Sequence, residues 1–232
     1  MLRYAITDRA RLAAESGQQA EPARQAARLA QAARLAADGI DFLQLRERDL
    51  SAAALASLAR NLLATLRAHN PAPRLLINSR ADIAIATRAD GVHLTSSPNE
   101  LTPAQVRALY AAASLPEPVI SLSCHLLAEV ARAASSAPNE RPTLILFGPV
   151  FEKVVAEPHP SQKSIANKKI AAGTGLDLLH AACLAAAPIP VLALGGITPA
   201  NTESCLAAGA AGIAAIRFFL SESAQIPPQS PY

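Results

Sequence analysis

Residues 190–216 read PVLALGGITPANTESCLAAGAAGIAAI, and this stretch decides the fold. The apolar run at residues 190–194 predicts a buried strand. A helix is predicted from Pro199 to near Ala207, because proline is favoured in the first turn of a helix. The apolar run at residues 212–216 predicts a second strand. Two strands that are joined through a helix can lie parallel in one sheet, so the stretch forms a strand–helix–strand unit.

The same alternation of short apolar runs and alanine-rich helical stretches continues through the chain. Eight strands with helices between them predict an α/β protein, a small single-domain (β/α)8 TIM barrel. An open doubly wound sheet is the alternative, but no Gly-x-Gly-x-x-Gly motif follows a strand. The other predicted strands span residues 2–6, 41–45, 74–77, 91–94, 119–123 and 143–147. The other predicted helices span residues 21–37, 51–68, 81–87, 102–112, 126–134 and 176–186.

The composition limits the class of protein. The chain has 232 residues, of which 51% are hydrophobic and 17% charged, and this excludes a mainly disordered protein. No apolar run reaches the roughly 18 residues of a membrane span, so we expect no membrane partner. A net charge of +3 with scattered arginines gives no nucleic-acid-binding stripe. We expect residues 1–223 to form the barrel and the proline-rich residues 224–232 to form a flexible tail.

Three cysteines, Cys124, Cys183 and Cys205, are far apart in the sequence. Their spacing fits neither a disulfide framework nor a zinc site, and it indicates a reducing compartment. The first residues are typical of a strand and not of a signal peptide, so the expected location is the cytoplasm. The sequence is compatible with a homo-oligomer and with a monomer.

Glycines and a cation follow the last two barrel strands. TIM barrels carry their chemistry at the carboxyl ends of the strands and often bind phosphate after strands seven and eight. Gly195 and Gly196 allow an anion to approach backbone N–H groups before a helix. We therefore predict a phosphate site formed by Gly195, Gly196, Ile216 and Arg217. The alternative is a tight turn beside a solvated surface charge.

Two arginines follow the second strand. Arg46 and Arg48 are two residues apart on an extended segment, so they share one face. Paired guanidinium groups suit a carboxylate or a phosphate, and we predict that both bind substrate. The alternative is a surface strand in which Glu47 and Asp49 are the partners of the arginines.

His125 follows the fifth strand and is the predicted general acid and base, because imidazole exchanges a proton near neutral pH. The alternative is a structural hydrogen bond. We predict that His93 packs inside the protein, and that Cys124 faces away from His125 as an inert buried thiol. Asn78, Ser123 and Gly148 also lie at strand ends, and we expect them to contact substrate.

The segment of residues 151–173 is too long for an ordinary connection, and it contains Lys153 and other cations. We predict a cationic lid that covers an anionic substrate, with a flexible surface insertion as the alternative. Phe147, Phe151, Phe218 and Phe219 also cluster near strand ends. We expect them to flank the mouth of the barrel, where a flat heterocycle could stack.

The strings at these strand ends resemble the thiamine phosphate synthase/TenI family of small barrels, over about residues 4–221. Each string alone is weak evidence for the family, but all of the strings occur in the same order and at matching intervals. They are Ala5-Ile6-Thr7-Asp8, Gln44-Leu45-Arg46-Glu47-Arg48, Ala89-Asp90-Gly91-Val92-His93-Leu94, Ser123-Cys124-His125, Phe147-Gly148-Pro149-Val150-Phe151, Leu194-Gly195-Gly196-Ile197-Thr198-Pro199 and Ala208-Gly209-Ala210-Ala211-Gly212-Ile213.

The resemblance separates two branches of the family. Synthases hold Mg²⁺ with acidic side chains after strands three and four, where this chain has Asn78-Ser79 and Thr95-Ser96-Ser97. In the stretch that binds diphosphate in the synthases, Lys153 is the only cationic residue of this chain. The Arg-Glu-Arg and Ser-x-His strings are closer to the TenI branch, whose catalytic histidine corresponds to His125. In that branch a small serine usually stands near the position of Arg217.

The resemblance therefore implies a thiamine biosynthesis enzyme, a thiazole tautomerase that aromatises carboxythiazole phosphate with no metal and no cofactor. One alternative is a divergent synthase that couples a pyrimidine diphosphate to thiazole phosphate, with Mg²⁺ held by Glu47, Asp49 or Glu100. Another is a barrel that binds thiazole phosphate, or a protein partner, without turnover. The expected partner is a small phosphorylated heterocycle and not a nucleic acid.

Overall fold

The computed structural model describes residues 1–8, 12, 20–155 and 169–220. Eight parallel strands form a closed barrel, and seven helices follow the strands along these residues. The strands are β1 (Leu2–Ile6), β2 (Phe42–Leu45), β3 (Arg74–Asn78), β4 (Gly91–Leu94), β5 (Val119–Cys124), β6 (Leu144–Phe147), β7 (Lys153–Val155), β8 (Lys169–Ala171), β9 (Val191–Leu194) and β10 (Gly212–Ala215). The helices are α1 (Glu21–Ala37), α2 (Ala52–Arg67), α3 (Ala81–Thr87), α4 (Pro103–Ala112), α5 (Leu127–Ser135), α6 (Gly175–Ala186) and α7 (Pro199–Ala207).

The barrel order is β1-β10-β9-β6-β5-β4-β3-β2, and β2 pairs with β1 to close the ring. The predicted TIM barrel is therefore confirmed. Each predicted strand and helix of the barrel ends within one residue of the observed element. Because all eight strands run in the same direction, their carboxyl ends meet at one mouth.

The segment of residues 151–173, the predicted cationic lid, contains two short strands. Its two ends, β7 and β8, pair as an antiparallel two-stranded sheet outside the barrel. The middle of the predicted lid, residues 156–168, lies outside the described residues, so the prediction of a lid stays untested. The predicted tail at residues 224–232 and the domain boundary at residue 223 also lie outside them.

The hydrophobic core has two layers. Side chains that come from strands alone, such as Tyr4, Leu76 and Leu192, fill the inside of the barrel. A larger cluster lies between the strands and the surrounding helices. Ala59 in α2 and Ala84 in α3 are fully buried in this cluster, and their small side chains let the helices approach the barrel closely.

The helix ends follow from local sequence. Ser51 Oγ accepts a hydrogen bond from the N–H of Ala54 and caps α2, as its position predicts. Gly39, at a φ of +77°, ends the turn after α1, where a left-handed residue is required. Among the helices of the described ranges, none is long and apolar enough to cross a membrane.

Candidate active site

A cavity of about 420 Å³ opens at the carboxyl ends of the barrel strands. Ten of the eleven predicted site residues line it, so the structure brings the separate strand ends together in one place. Lys153 lies in β7, and its side chain belongs to the part that the structure does not describe, so its role stays a prediction. The ten residues are Arg46, Arg48, Asn78, Ser123, His125, Gly148, Gly195, Gly196, Ile216 and Arg217.

His125 follows β5 and is exposed toward the cavity, with its ring held at one nitrogen. Its Nδ1 lies 2.5 Å from the carbonyl oxygen of Gly148. A carbonyl oxygen only accepts, so Nδ1 carries the proton, and Nε2 keeps its lone pair in the neutral ring. The backbone N–H of His125 donates to Glu129 Oε2 at 2.6 Å, which holds the segment at the start of α5.

Gly148 is held at its position by close backbone packing. A Cβ atom there would lie 1.9 Å from the carbonyl oxygen of Leu194 in β9. The N–H of Gly148 donates to the carbonyl oxygen of Cys124 at 3.2 Å. The carbonyl that orients His125 is thus fixed between the ends of β5 and β9. Cys124 is buried, as predicted, and burial raises the pKa of its thiol to about 12.

The two arginines after β2 differ in exposure. Arg46 is half-buried and Arg48 is exposed, and both line the cavity. Burial lowers the pKa of Arg46, and the nearby Arg48 charge lowers it further. Glu47 lies between them in sequence, but its carboxylate is buried 3.2 Å from the Arg28 guanidinium of α1. Glu47 therefore pairs with Arg28, on the side of this segment that faces away from Arg46 and Arg48.

Gly195 and Gly196 form the turn between β9 and α7. Their φ angles are +94° and +68°, in the region that favours glycine. Added Cβ atoms would lie 2.7 Å from Pro149 Cβ and 2.6 Å from Phe151 Cβ, respectively. Both glycines line the cavity just before the amino end of α7. Arg217 is exposed and lines the same cavity, at the start of a short 3-10 helix, Arg217–Phe219.

His93 lies inside the barrel and holds two serines. Its Nδ1 lies 2.8 Å from Ser121 Oγ, and its Nε2 lies 3.0 Å from Ser123 Oγ. Tyr4 extends this chain through a 2.8 Å hydrogen bond between its hydroxyl and Ser121 Oγ. Burial, and then the charge of Arg46, lower the pKa of His93 to about 3. His93 is therefore a neutral residue that orients Ser123, in agreement with the packed role predicted for it.

The expected aromatic mouth is wrong. Phe147, Phe218 and Phe219 are buried in the layer between the barrel and the helices, and Phe151 is partly buried against the same layer. Phe147 is the last residue of β6, and its side chain faces the helices because side chains alternate along a strand. Within the described ranges, the apolar lining of the cavity is aliphatic, with Ile6, Leu146, Leu194, Ile197 and Ile216.

A polar cluster at the ends of β2, β3 and β4 was not predicted from the sequence. Gln44 Nε2 donates to Asn78 Oδ1 at 2.8 Å. Glu100 Oε2 accepts from Ser79 Oγ at 2.7 Å and from the hydroxyl and backbone N–H of Thr95 at 2.7 and 3.0 Å. Ser79 adopts a φ of +56°, which is uncommon for a serine and marks the position as special.

These residues do not fit a Mg²⁺ site. Mg²⁺ in proteins is held through carboxylates and phosphates in a near-octahedral arrangement. Hydroxyl and N–H groups donate into the Glu100 carboxylate, and Glu47 faces Arg28. In the described part of the chain, no group of three or more His, Cys, Asp or Glu side chains is placed to hold a metal ion.

Comparison with known proteins gives a consistent result. A family model described as thiamine monophosphate synthase matches residues 4–219. A Geobacter sulfurreducens protein named "Putative thiamine-phosphate synthase" is 40% identical over 187 residues, which are 80% of this chain and 76% of that protein. The thiamine-phosphate synthase of Azorhizobium caulinodans is 31% identical over 215 residues, 92% of this chain and 84% of that protein.

The fold is similar to solved structures. A thiamine phosphate pyrophosphorylase from Pyrococcus furiosus superposes with a TM-score of 0.69 over 96% of this chain and 89% of that chain. The two sequences are 23% identical, so this similarity concerns the barrel itself.

Proposed function

The chain belongs to the thiamine monophosphate synthase family, and from this premise we propose that it is a thiazole tautomerase that aromatises a carboxythiazole phosphate without a metal. The observation that carries the proposal is the 2.5 Å contact between His125 Nδ1 and the Gly148 carbonyl oxygen. It leaves Nε2 with a lone pair at the cavity, which a proton-transfer reaction requires.

The proposed reaction moves one proton and one double bond. His125 Nε2 removes a proton from a ring carbon, and the electron pair of that C–H bond enters the ring. The exocyclic double bond then takes up a proton from the same imidazolium, and the ring becomes aromatic. Atoms and charge balance, because His125 returns to its neutral form. The Gly148 carbonyl oxygen holds the proton at Nδ1 throughout the reaction, so the neutral imidazole always returns to the same tautomer.

The two anionic groups of such a substrate match two cationic regions of the cavity. Arg46 and Arg48 are suited to the carboxylate, because guanidinium binds planar anions through paired N–H groups. Gly195, Gly196 and Arg217 are suited to the phosphate, through backbone N–H groups and one charge. The cavity of about 420 Å³ has the size of an ordinary small-molecule site.

A thiamine phosphate synthase is the second candidate, and the names of the relatives favour it. That reaction would join two phosphorylated heterocycles and would use Mg²⁺ to neutralise a leaving diphosphate. The hydroxyl-rich surroundings of Glu100 argue against it, because the donor set lacks the carboxylates that Mg²⁺ prefers.

Turnover of the purified chain distinguishes the two candidates. Carboxythiazole phosphate is supplied in one assay, and pyrimidine diphosphate with thiazole phosphate in the other, each with Mg²⁺ and with EDTA. We expect aromatisation at equal rates with Mg²⁺ and EDTA, and no coupling in either condition. Mg²⁺-dependent coupling without aromatisation would overturn the proposal, and tight binding without turnover would indicate a binding protein.

A further inference from the structure

A chain of four polar residues runs from the loop before α4 to the wall of the cavity. It starts at Glu100, passes through Ser79 and Asn78, and ends at Gln44 in β2. The links are 2.7 Å from Ser79 Oγ to Glu100 Oε2, 3.1 Å from Asn78 Nδ2 to Ser79 Oγ and 2.8 Å from Gln44 Nε2 to Asn78 Oδ1. We call these four residues the Glu100 relay.

The charge of Glu100 sets the direction of this relay. A carboxylate oxygen only accepts hydrogen bonds, so Ser79 must donate its single hydroxyl proton to Glu100. Ser79 Oγ can then only accept from the Asn78 amide, which presents its NH₂ group. The Oδ1 of Asn78 consequently faces Gln44, and Gln44 must donate its NH₂ group in turn. Each amide is thereby held in one of its two orientations.

The last member of the relay lies on the wall of the candidate active site. Gln44 is 1% exposed, and both Gln44 and Asn78 line the cavity. Gln44 Oε1 is buried and has no hydrogen-bond partner among the residues that the structure describes. A buried acceptor without a partner is costly, so an orientation that leaves Oε1 unpaired in the cavity wall must be imposed by the hydrogen bond that the Gln44 NH₂ group makes to Asn78.

We propose that Glu100 is a positioning residue that acts through Ser79 and Asn78 to hold the Gln44 amide in one orientation in the cavity wall, with its NH₂ group bonded to Asn78 and its oxygen left as the unpaired negative end of the amide dipole. This negative end of the amide dipole repels carboxylate and phosphate oxygens. It directs the anionic groups of the ligand to Arg46 and Arg48 at one end and to Gly195 and Gly196 at the other. The inference rests on the proposed function for its catalytic readout.

The relay gives Glu100 a role different from cation binding. One oxygen of the Glu100 carboxylate, Oε2, already accepts three hydrogen bonds, from Ser79 Oγ, Thr95 Oγ1 and the Thr95 N–H. An uncharged amide oxygen at this position could accept the same three bonds, but it would be a poor ligand for Mg²⁺. Glu100→Gln and Glu100→Ala therefore behave alike in a metal site and differently in the relay.

The first test compares these two variants in the aromatisation assay with EDTA. In Glu100→Ala, Ser79 can donate to Asn78 and reverse both amides, so the positive end of the Gln44 amide dipole replaces the negative end in the cavity wall. We expect kcat to fall about tenfold with KM unchanged or lower, because anions then bind in an unproductive position. Glu100→Gln should retain kcat within about threefold, since the acceptor stays in place. Equal losses in the two variants, or a requirement for Mg²⁺, would overturn the proposal.

A second test does not depend on the reaction. The side-chain amide signals of Gln44, assigned with a Gln44→Met variant, are followed in two-dimensional ¹H–¹⁵N NMR spectra. We expect these signals to shift in Glu100→Ala and to stay in place in Glu100→Gln. If Glu100→Ala does not fold, Ser79→Gly replaces it, because glycine tolerates the φ of +56° and breaks the same link.

The two tests separate two kinds of failure. Unmoved Gln44 signals in Glu100→Ala or Ser79→Gly contradict the relay, whatever reaction the chain catalyses. Shifted signals in a protein that does not aromatise carboxythiazole phosphate contradict the proposed function and still support the coupling of Glu100 to Gln44.

Discussion

The imidazole of His125 and the main chain of Gly148 form one unit, in which Nδ1 lies 2.5 Å from the carbonyl oxygen. The side chain comes from the end of β5 and the carbonyl from the end of β6, so neighbouring strands of the barrel build the proposed base. Gly148 is itself confined by Leu194 of β9. The ring orientation therefore depends on backbone groups that the barrel holds rigidly.

Replacement of His125 tests its role as acid and base. We expect His125→Gln to lower kcat for aromatisation by at least about 100-fold, because a positioned general base contributes this much or more. The melting temperature should change little, since the side chain is exposed. His180→Gln is the matched control, because His180 is an exposed histidine that bonds to the Ala208 carbonyl far from the cavity. Equal rates in the two variants would refute the assignment of the base.

Gly148→Ala should destabilise the barrel by at least about 2 kcal/mol, because the added methyl group overlaps the Leu194 carbonyl oxygen. Gly175→Ala is a useful comparison, since nothing lies within 4 Å of its Cβ position and only its φ of +84° is strained. We expect that variant to lose about 1 kcal/mol. Denaturant unfolding measures both values, and equal losses would mean that the steric contact is unimportant.

The buried His93 predicts a stability that depends on pH. Its pKa in the folded protein is about 3, below the ordinary value of a histidine near 6.5. Between these values the unfolded chain binds a proton that the folded chain does not, so the free energy of unfolding falls as pH decreases from about 6.5 toward 3. The slope reaches about 1.4 kcal/mol per pH unit.

His93→Gln should remove this part of the pH dependence, because glutamine does not titrate. Urea unfolding of the wild type and the variant at pH 7, 6, 5 and 4 measures the difference. His180→Gln is the matched control, since it removes a histidine from the exposed face of α6 and leaves the buried His93 in place. Parallel curves for wild type and His93→Gln would show that His93 is not held neutral.

The arginines after β2 should contribute unequally to substrate binding. Arg46→Gln is expected to raise KM by about tenfold or more, because Arg46 is half-buried and its contact with a carboxylate is poorly screened. Arg48→Gln should raise KM less, since Arg48 is exposed. Arg60→Gln, on the outer face of α2, should leave KM unchanged. A larger effect at Arg48 than at Arg46 would reverse the proposed roles.

The sequence predicts the barrel well because each strand–helix unit carries its own signals for where the helix begins and ends. Ser51, Pro103, Pro199 and Gly39 mark helix ends, and the buried strands are short apolar runs, so the element boundaries follow from local signals. The position of a residue at a strand end was also enough to place His125 in the cavity, since all strand ends of a barrel meet at one mouth.

Other features depend on contacts between distant segments. Glu100 lies well past the end of β4, and its link to Ser79 joins two loops, for which no sequence period exists. The paired strands β7 and β8 have three residues each, too few to show alternation. The orientation of the Phe147 side chain depends on which face of β6 the helices cover. The position of Phe147 near the strand end does not reveal that face.

Aromatisation of carboxythiazole phosphate in D₂O with EDTA, followed by ¹H NMR, tests the central claim most directly. Proton transfer through His125, whose imidazolium exchanges with solvent, predicts an aromatic product with deuterium at the former exocyclic carbon. The wild type should form it at least about 100 times faster than His125→Gln. Conversion no faster than in buffer alone, or equal rates in the wild type and His125→Gln, would contradict a tautomerase that acts through this histidine.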